Sequence, residues 1–168
     1  MISFPISPLF IPANKLDWIN KAEDSEADGL IIDLEDSVPL KHKSIARKEL
    51  GDFLTSNSVN KPYLIRTNPL TLEDGKKDLS LATKTKDNFL GFLIPKIEDS
   101  SELLSVQESI SVVLLIETPT SLMNLSSLSE DKRVIGLALG GADLAAELGS
   151  DMSWDSLLLA RSVIVLQA

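Results

Sequence analysis

Six short, continuous apolar runs constrain the fold of this chain more than any other feature. Each run is rich in isoleucine, leucine and valine and does not alternate with polar residues. Strands that are covered on both faces by helices have this composition, which is typical of a parallel sheet. The runs are SPLFIP (7–12), GLIIDLE (29–35), PYLIRT (62–67), GFLIPK (91–96), VVLLIET (112–118) and VIGLALG (134–140).

The segments between these runs have helical character. Apolar side chains recur in them at helical spacing, and the first segment follows Asn14, which is suited to capping a helix. Strands and helices that alternate in this way imply right-handed βαβ units and a parallel sheet. The predicted helical segments are 15–26, 41–54, 100–109, 121–128 and 153–168.

This order of elements predicts an α/β fold of the TIM-type (β/α)8 barrel class. Such a barrel typically takes about 250 residues. The chain has 168 residues and shows six βα units, so we expect a barrel that is truncated at its C-terminal side after about six units. Because no linker or low-complexity tract interrupts the pattern, residues 1–168 are expected to form one incomplete barrel domain.

The composition excludes several classes of function. The net charge is −9 and no cluster of basic residues with interleaved aromatics occurs, which argues against a nucleic-acid partner. No apolar run approaches the roughly 20 residues that span a bilayer, and the N-terminus lacks the basic start of a signal peptide. We therefore expect a cytoplasmic protein with no membrane partner. Since cysteine is absent and His42 is the single histidine, chemistry must come from carboxylates, arginine, lysine and backbone amides.

Charged residues follow most of the predicted strands directly. In a barrel, these strand ends open on one face, which is the face where active sites lie. Two carboxylates from neighbouring strands suit Mg²⁺, and an arginine can form a bidentate fork with a substrate carboxylate. The residues are Asp33 and Glu35 at the end of the second run with Asp36 just after it, Arg66 at the end of the third, Lys96 at the end of the fourth, Glu117 at the end of the fifth, and Asp143 three residues after the sixth.

Each of these residues also has a structural explanation, which the pattern alone leaves open. Glu117 could be a solvated acid in a loop, and Asp143 could cap the helix of LAAELG. Arg66 could simply pair with Asp33 or Glu35. Lys96 and the nearby Glu98 are expected to be structural.

Longer motifs add a resemblance to a known family. They are SPLFIPAN, ADGLIIDLEDSVP followed by KHKSIAR, LIRTNPLTLEDGKKDL, GFLIPKIE, LLIETPTSL, GLALGGADLAAELG and ARSVIVLQA. In this order, and over essentially its whole length, the chain resembles the citrate lyase β-subunit branch of the HpcH/HpaI aldolase family. Two departures stand out: Ile6 occupies a position where the family usually has an arginine, and family members run further and supply an acid/base carboxylate there.

The resemblance implies a site and a reaction. The implied metal ligands for Mg²⁺ (or Mn²⁺) are Glu117 and Asp143, and Arg66 and Glu117 are the implied catalytic residues. Arg66 would bind the substrate's carboxylate, with Glu117 and the backbone of Gly141 and Ala142 also contacting the substrate. Two further acids are implied to hold water at the metal, namely Glu35 and Asp36.

The implied function is that of a Mg-dependent carbon–carbon lyase. It would act on a citryl- or malyl-type thioester of CoA or a carrier protein, and it would release or use an oxo-acid such as oxaloacetate, pyruvate or glyoxylate. Thioester hydrolysis or a synthase reaction on the same site is one alternative. A truncated, non-catalytic paralogue that binds a ligand or partner subunits is another. Relatives are commonly trimers or hexamers, so a homo-oligomer is expected.

Overall fold

The fold is α/β, with six strands that alternate with helices, and the computed structural model describes residues 4–168. This is the strand–helix order of a TIM-type barrel, and six βα units of it are present. The strands are β1 (Pro8–Pro12), β2 (Gly29–Asp33), β3 (Tyr63–Arg66), β4 (Phe89–Ile94), β5 (Val112–Ile116) and β6 (Val134–Leu139). All six predicted strands are therefore confirmed, although β4 begins two residues before the predicted run.

The helices vary more in length than the strands. The α-helices are α1 (Asp17–Glu23), α2 (Lys43–Ser56), α3 (Glu73–Asp78), α4 (Pro119–Met123), α5 (Leu125–Ser129), α6 (Gly141–Glu147) and α7 (Leu158–Gln167). Three 3₁₀-helices accompany them, at Leu40–His42, Leu79–Lys84 and Ser100–Ser105. Within residues 4–168, no helix has the length and apolar character needed to cross a membrane.

The chain divides into two compact units, Met1–Leu93 and Ile94–Ala168. In the first unit, β1, β2, β3 and β4 pair in parallel in chain order. The interior side chains of these strands are fully buried, Leu30, Ile32 and Ile65 among them. Burial on both faces explains why β2 and most of β3 and β4 are continuous apolar runs rather than alternating ones.

The second unit contains β5 and β6, which also pair in parallel, with Ile116 opposite Leu139. Its helices contribute a small apolar cluster of four buried residues, against which Leu122 and Leu139 pack. The cluster comprises Leu144, Ala145, Leu157 and Ala160. This packing fixes the start of α6 close to the end of β6, where the predicted site residues lie.

Several predicted helix boundaries are wrong. Asn14 does not cap α1, which begins at Asp17 with Leu16 at its N-cap and no side-chain cap. The segment 100–109 is only a short 3₁₀-helix at Ser100–Ser105, capped by Asp99. A kink at Asn124 divides the segment 121–128 between two helices, and the last helix begins at Leu158 instead of residue 153. No helix was predicted for α3, which follows β3.

Candidate functional site

In the second unit, Glu117 and Asp143 follow the ends of two paired strands. Glu117 comes directly after β5, and Asp143 lies in the first turn of α6, which follows β6. The N–H of Gly140 donates to the carbonyl oxygen of Ile116 at 2.9 Å. This hydrogen bond brings the beginning of α6 alongside the residue that carries the first carboxylate.

The carboxylate of Glu117 is buried and held by the backbone. The residue is 3% exposed, and its Oε1 accepts a hydrogen bond of 2.9 Å from the backbone N–H of Lys96. Lys96 adopts a left-handed conformation, with φ of 51°, which residues other than glycine seldom adopt. The alternative that Glu117 is a solvated loop acid is therefore wrong.

Gly140 makes room for this carboxylate. A Cβ atom at Gly140 would lie 2.4 Å from Cβ of Glu117 and 2.5 Å from its Oε2. Atoms that are not bonded to each other do not approach this closely, so any larger residue at position 140 would force Glu117 to move. The glycine is needed for the approach of the side chain to the backbone.

Asp143 is more accessible than Glu117. Its side chain is 44% exposed, and its Oδ2 lies 3.6 Å from Nζ of Lys96. Gly140 occupies the N-cap of α6, so the alternative that Asp143 caps this helix is wrong. Gly141 and Ala142 are the first two residues of the helix, where backbone N–H groups have no carbonyl partner within the helix.

The two acids fit the requirements of a magnesium ion. They offer hard oxygen donors, and Mg²⁺ is usually bound by one or two carboxylates together with water and substrate oxygens. In the part of the chain that the structure describes, no group of three or more aspartate, glutamate, histidine or cysteine side chains could hold a metal. Water and substrate would therefore complete the coordination.

In the first unit, Arg66 lies among three carboxylates. Its Nε and Nη2 donate to the two oxygens of Asp33, each at 2.7 Å. Its Nη1 lies 3.1 Å from Oε2 of Glu35 and 3.4 Å from Oδ2 of Asp36. The guanidinium is also 5.2 Å from the ring centre of Phe10. The pairing of Arg66 with Asp33 and Glu35 is thus confirmed, and one side of its fork is already occupied.

Asp33 and Arg66 hold each other in their charged forms. Burial would raise the pKa of Asp33, but hydrogen bonds from Arg66 and Ser37 outweigh it and lower the pKa below the usual value. Burial would likewise lower the pKa of Arg66, but the hydrogen bonds and charge of Asp33 raise it. Both groups are therefore ionised at neutral pH.

A buried polar network beneath this cluster escaped prediction. Nζ of Lys43 donates to Oδ1 of Asn68 and to the carbonyl oxygens of Leu34 and Glu35. Oδ2 of Asp78 accepts from both the backbone N–H and the side-chain Nδ2 of Asn68, each at 2.8 Å. These contacts tie the loop after β2 to the loop after β3. In the sequence, this network is signalled by the polar residues of KHKSIAR and TNPL.

Comparison with known proteins identifies the family. The family model described as HpcH/HpaI aldolase/citrate lyase matches residues 7–168. The chain belongs to this family. The resemblance to the HpcH/HpaI family found in the motifs is therefore confirmed.

Two curated relatives cover most of the chain. A (3S)-malyl-CoA thioesterase of Cereibacter sphaeroides is 31% identical over an alignment of 157 positions, which covers 91% of this chain and 54% of the relative. A citrate lyase subunit beta-like protein of Deinococcus radiodurans is 31% identical over an alignment of 176 positions, gaps included, which covers 96% of the chain and 61% of the relative. The chain thus spans little more than half the length of these relatives.

A solved structure extends the comparison to three dimensions. The citrate lyase beta subunit of M. tuberculosis, complexed with oxaloacetate and magnesium, superposes with a TM-score of 0.80 at 26% identity. The match covers 96% of this chain and 72% of that one. The TIM-type fold class predicted from the sequence is confirmed.

Proposed function

We propose that this HpcH/HpaI family chain carries the Mg²⁺-binding and oxo-acid-binding residues of a carbon–carbon lyase. Its substrate would be a citryl- or malyl-type thioester, and its oxo-acid oxaloacetate, pyruvate or glyoxylate. The observation that carries the proposal is the buried carboxylate of Glu117, which lies against Gly140. Gly140 is the N-cap of α6, and Asp143 lies in the first turn of that helix. The magnesium and oxaloacetate bound to the citrate lyase beta subunit of M. tuberculosis support it.

In this proposal, Glu117 and Asp143 hold the ion, which when bound supplies Lewis acidity for a carbonyl or alkoxide oxygen of the oxo-acid. Arg66 binds the oxo-acid's carboxylate and fixes its orientation, because a guanidinium matches the planar carboxylate. Glu35 and Asp36 orient water near the ion. The backbone amides of Gly141 and Ala142 donate to the substrate and stabilise negative charge that develops on it.

Removal of the negative charge of Glu117 tests directly whether this residue binds the metal ion. We expect the chain to bind Mn²⁺, used as a paramagnetic probe, at one site that oxaloacetate strengthens. Glu117→Gln should weaken this binding at least about tenfold, because a neutral amide is a poor ligand for a hard cation. The measurement is water-proton relaxation during a Mn²⁺ titration with and without oxaloacetate. Glu147→Gln, an exposed change at the end of α6, should bind as the wild type does.

An absence of binding by the folded wild-type chain would overturn the proposal and leave the non-catalytic alternative, a ligand-binding or partner-binding paralogue. If Glu117→Gln bound Mn²⁺ as tightly as the wild type, the assignment of Glu117 as a metal ligand would be wrong. Circular dichroism of each variant would establish that loss of binding does not reflect unfolding.

Thioester hydrolysis is a second candidate for the same site. It is favoured by the relatives named (3S)-malyl-CoA thioesterase, which are 31% identical to the chain. The products separate the two reactions, since hydrolysis of malyl-CoA gives malate and free CoA, whereas cleavage of the carbon–carbon bond gives glyoxylate and acetyl-CoA. Chromatography of the products formed by the Mg²⁺-loaded chain would distinguish them.

We also propose that the chain forms a homo-oligomer. Two apolar residues of β1, Leu9 and Phe10, are nearly half exposed. In α7, Leu159 and Leu166 are exposed over most of their surface. Burial of such surface stabilises association. Light scattering should give a mass of at least two chains, and a monodisperse monomer over a wide range of concentration would contradict this expectation.

A further inference from the structure

Asp33 stands at the point where two functional segments of the first unit meet. It is the last residue of β2, and its register partner is Arg66, the last residue of β3. The residue is 2% exposed. A buried carboxylate is costly unless donors surround it, so the identity of its donors indicates what it does.

Each oxygen of Asp33 accepts one hydrogen bond from the guanidinium and one from the backbone. Oδ1 accepts from Nε of Arg66 at 2.7 Å and from the N–H of Glu35 at 2.8 Å. Oδ2 accepts from Nη2 of Arg66 at 2.7 Å and from the N–H of Ser37 at 3.1 Å. One carboxylate therefore fixes both the arginine and the loop that carries Glu35 and Asp36.

This pairing limits how Arg66 can bind a second carboxylate. The donor on Nε and one donor on Nη2 are engaged by Asp33. The donors that Asp33 does not engage are the second hydrogen of Nη2 and those of Nη1, which faces Glu35 and Asp36. Together they form the end of the guanidinium fork. A ligand can therefore approach only end-on.

The carboxylates beside Nη1 restrict the approach further. Three carboxylates and one guanidinium give this cluster a formal charge of −3 + 1 = −2. Glu35 is buried, but the side chain of Asp36 is 59% exposed and its contact of 3.4 Å is the longest of the set. Of the three acids, Asp36 is thus the one that restricts access to Nη1 least.

We propose that Asp33 is a positioning residue, which holds Arg66 so that Nη1 and Nη2 bind the oxo-acid's carboxylate end-on. The inference rests on the proposed function, because it takes the oxo-acid as the ligand of Arg66. Lysine could not replace the arginine, since one ammonium cannot bridge Asp33 and a ligand with the geometry of a planar fork. Asp33 itself does not touch the ligand.

The test separates affinity for the oxo-acid from affinity for the metal. Asp33→Asn turns one acceptor into an NH₂ group that faces an N–H of Arg66 and a backbone N–H, so the fork loses its orientation. We expect the affinity of the Mn²⁺-loaded chain for oxaloacetate to fall about tenfold or more, as for loss of a charge-assisted hydrogen bond. The affinity for Mn²⁺ alone should stay within about twofold, because Asp33 is not one of the proposed metal ligands and its replacement leaves them intact. Titration calorimetry measures both.

Three further variants complete the test. Asp52→Asn removes a carboxylate from an exposed pair with Lys48 in the same unit, and it should alter neither affinity. Arg66→Lys should lose oxaloacetate affinity while it keeps Mn²⁺ binding, and this result tests the proposal even if Asp33→Asn does not fold. The double variant Asp33→Asn/Arg66→Lys should bind oxaloacetate no more weakly than Arg66→Lys alone, because both changes remove the same interaction.

One outcome would overturn the inference and leave the proposed function standing: oxaloacetate bound as tightly by Asp33→Asn as by the wild type. Oxaloacetate bound as tightly by Arg66→Lys as by the wild type would overturn the inference together with the role proposed for Arg66. A fall in Mn²⁺ affinity equal to the fall in oxaloacetate affinity would also overturn the inference, since Asp33 would then support the unit as a whole. Failure of the wild type to bind Mn²⁺ would instead overturn the proposed function, and the inference with it.

Discussion

Replacing Gly140 by alanine is expected to remove most of the affinity of the chain for Mn²⁺. The added methyl group would lie 2.4 Å from Cβ of Glu117 and 2.5 Å from its Oε2. Glu117 cannot retreat easily, because it is buried and its Oε1 is held by the N–H of Lys96. We expect affinity to fall about 10- to 100-fold, the range found when the support of a metal ligand is removed. A Mn²⁺ titration followed by water-proton relaxation measures it.

Gly136 provides the matched control. It lies in β6, four residues before Gly140, and a Cβ atom there would meet no atom closer than 3.7 Å, a methyl group of Val113. Gly136→Ala should therefore bind Mn²⁺ like the wild type. Equal binding by Gly140→Ala and Gly136→Ala would mean that the position of the Glu117 carboxylate does not determine metal affinity.

The strands could be predicted from the sequence because their information is local. A run such as VVLLI needs no distant partner to indicate a strand buried on both faces, and β5 is found where the run lies. Helix ends depend on the turns that precede them. Lys15 donates to the carbonyl of Pro12 and Trp18 to that of Lys15, so the chain turns before α1 begins and Asn14 lies too early to cap it.

The candidate site could likewise be predicted only in part from the sequence. Glu117 and Asp143 could be singled out because each follows a strand, and parallel strands place their ends on one edge. The pairing of Asp33 with Arg66 joins residues 33 positions apart, and the sequence left it as one of several alternatives. Which of three acids takes the arginine depends on register and on backbone donors within the loop, and neither is visible in the pattern of residue types.

The network around Asp78 is the part of the chain that sequence patterns describe least. Asp78 is fully buried, and its Oδ1 accepts from Nε of Arg47 at 2.6 Å. Its Oδ2 accepts two hydrogen bonds from Asn68, whose Nδ2 also donates to the carbonyl of Leu34 at 3.1 Å. Arg47 lies 31 residues before Asp78, and Asn68 lies 10 residues before it. Three segments, α2, the loop after β3 and the end of α3, therefore converge on one carboxylate.

Removal of this carboxylate is expected to produce the largest loss of stability among the variants considered. Asp78→Ala leaves the guanidinium of Arg47 without its buried partner and leaves two donors of Asn68 without an acceptor. Breaking a buried pair from one side typically costs about 3–5 kcal/mol. Urea unfolding followed by circular dichroism should show this decrease in the free energy of unfolding.

Asp74 supplies the comparison, because it pairs with the same arginine from a more exposed position. Its Oδ1 accepts from Nη2 of Arg47 at 2.7 Å, and its side chain is 34% exposed against 0% for Asp78. Water can replace Asp74 but cannot reach the space left by Asp78, so Asp74→Ala should cost less than about 1 kcal/mol. If the two variants lost equal stability, burial would not be what makes the Asp78 contacts strong. If only Asp78→Ala were destabilised and it also lost oxaloacetate affinity, the network would be what holds the loop of Glu35 and the end of β3 at Arg66 in place.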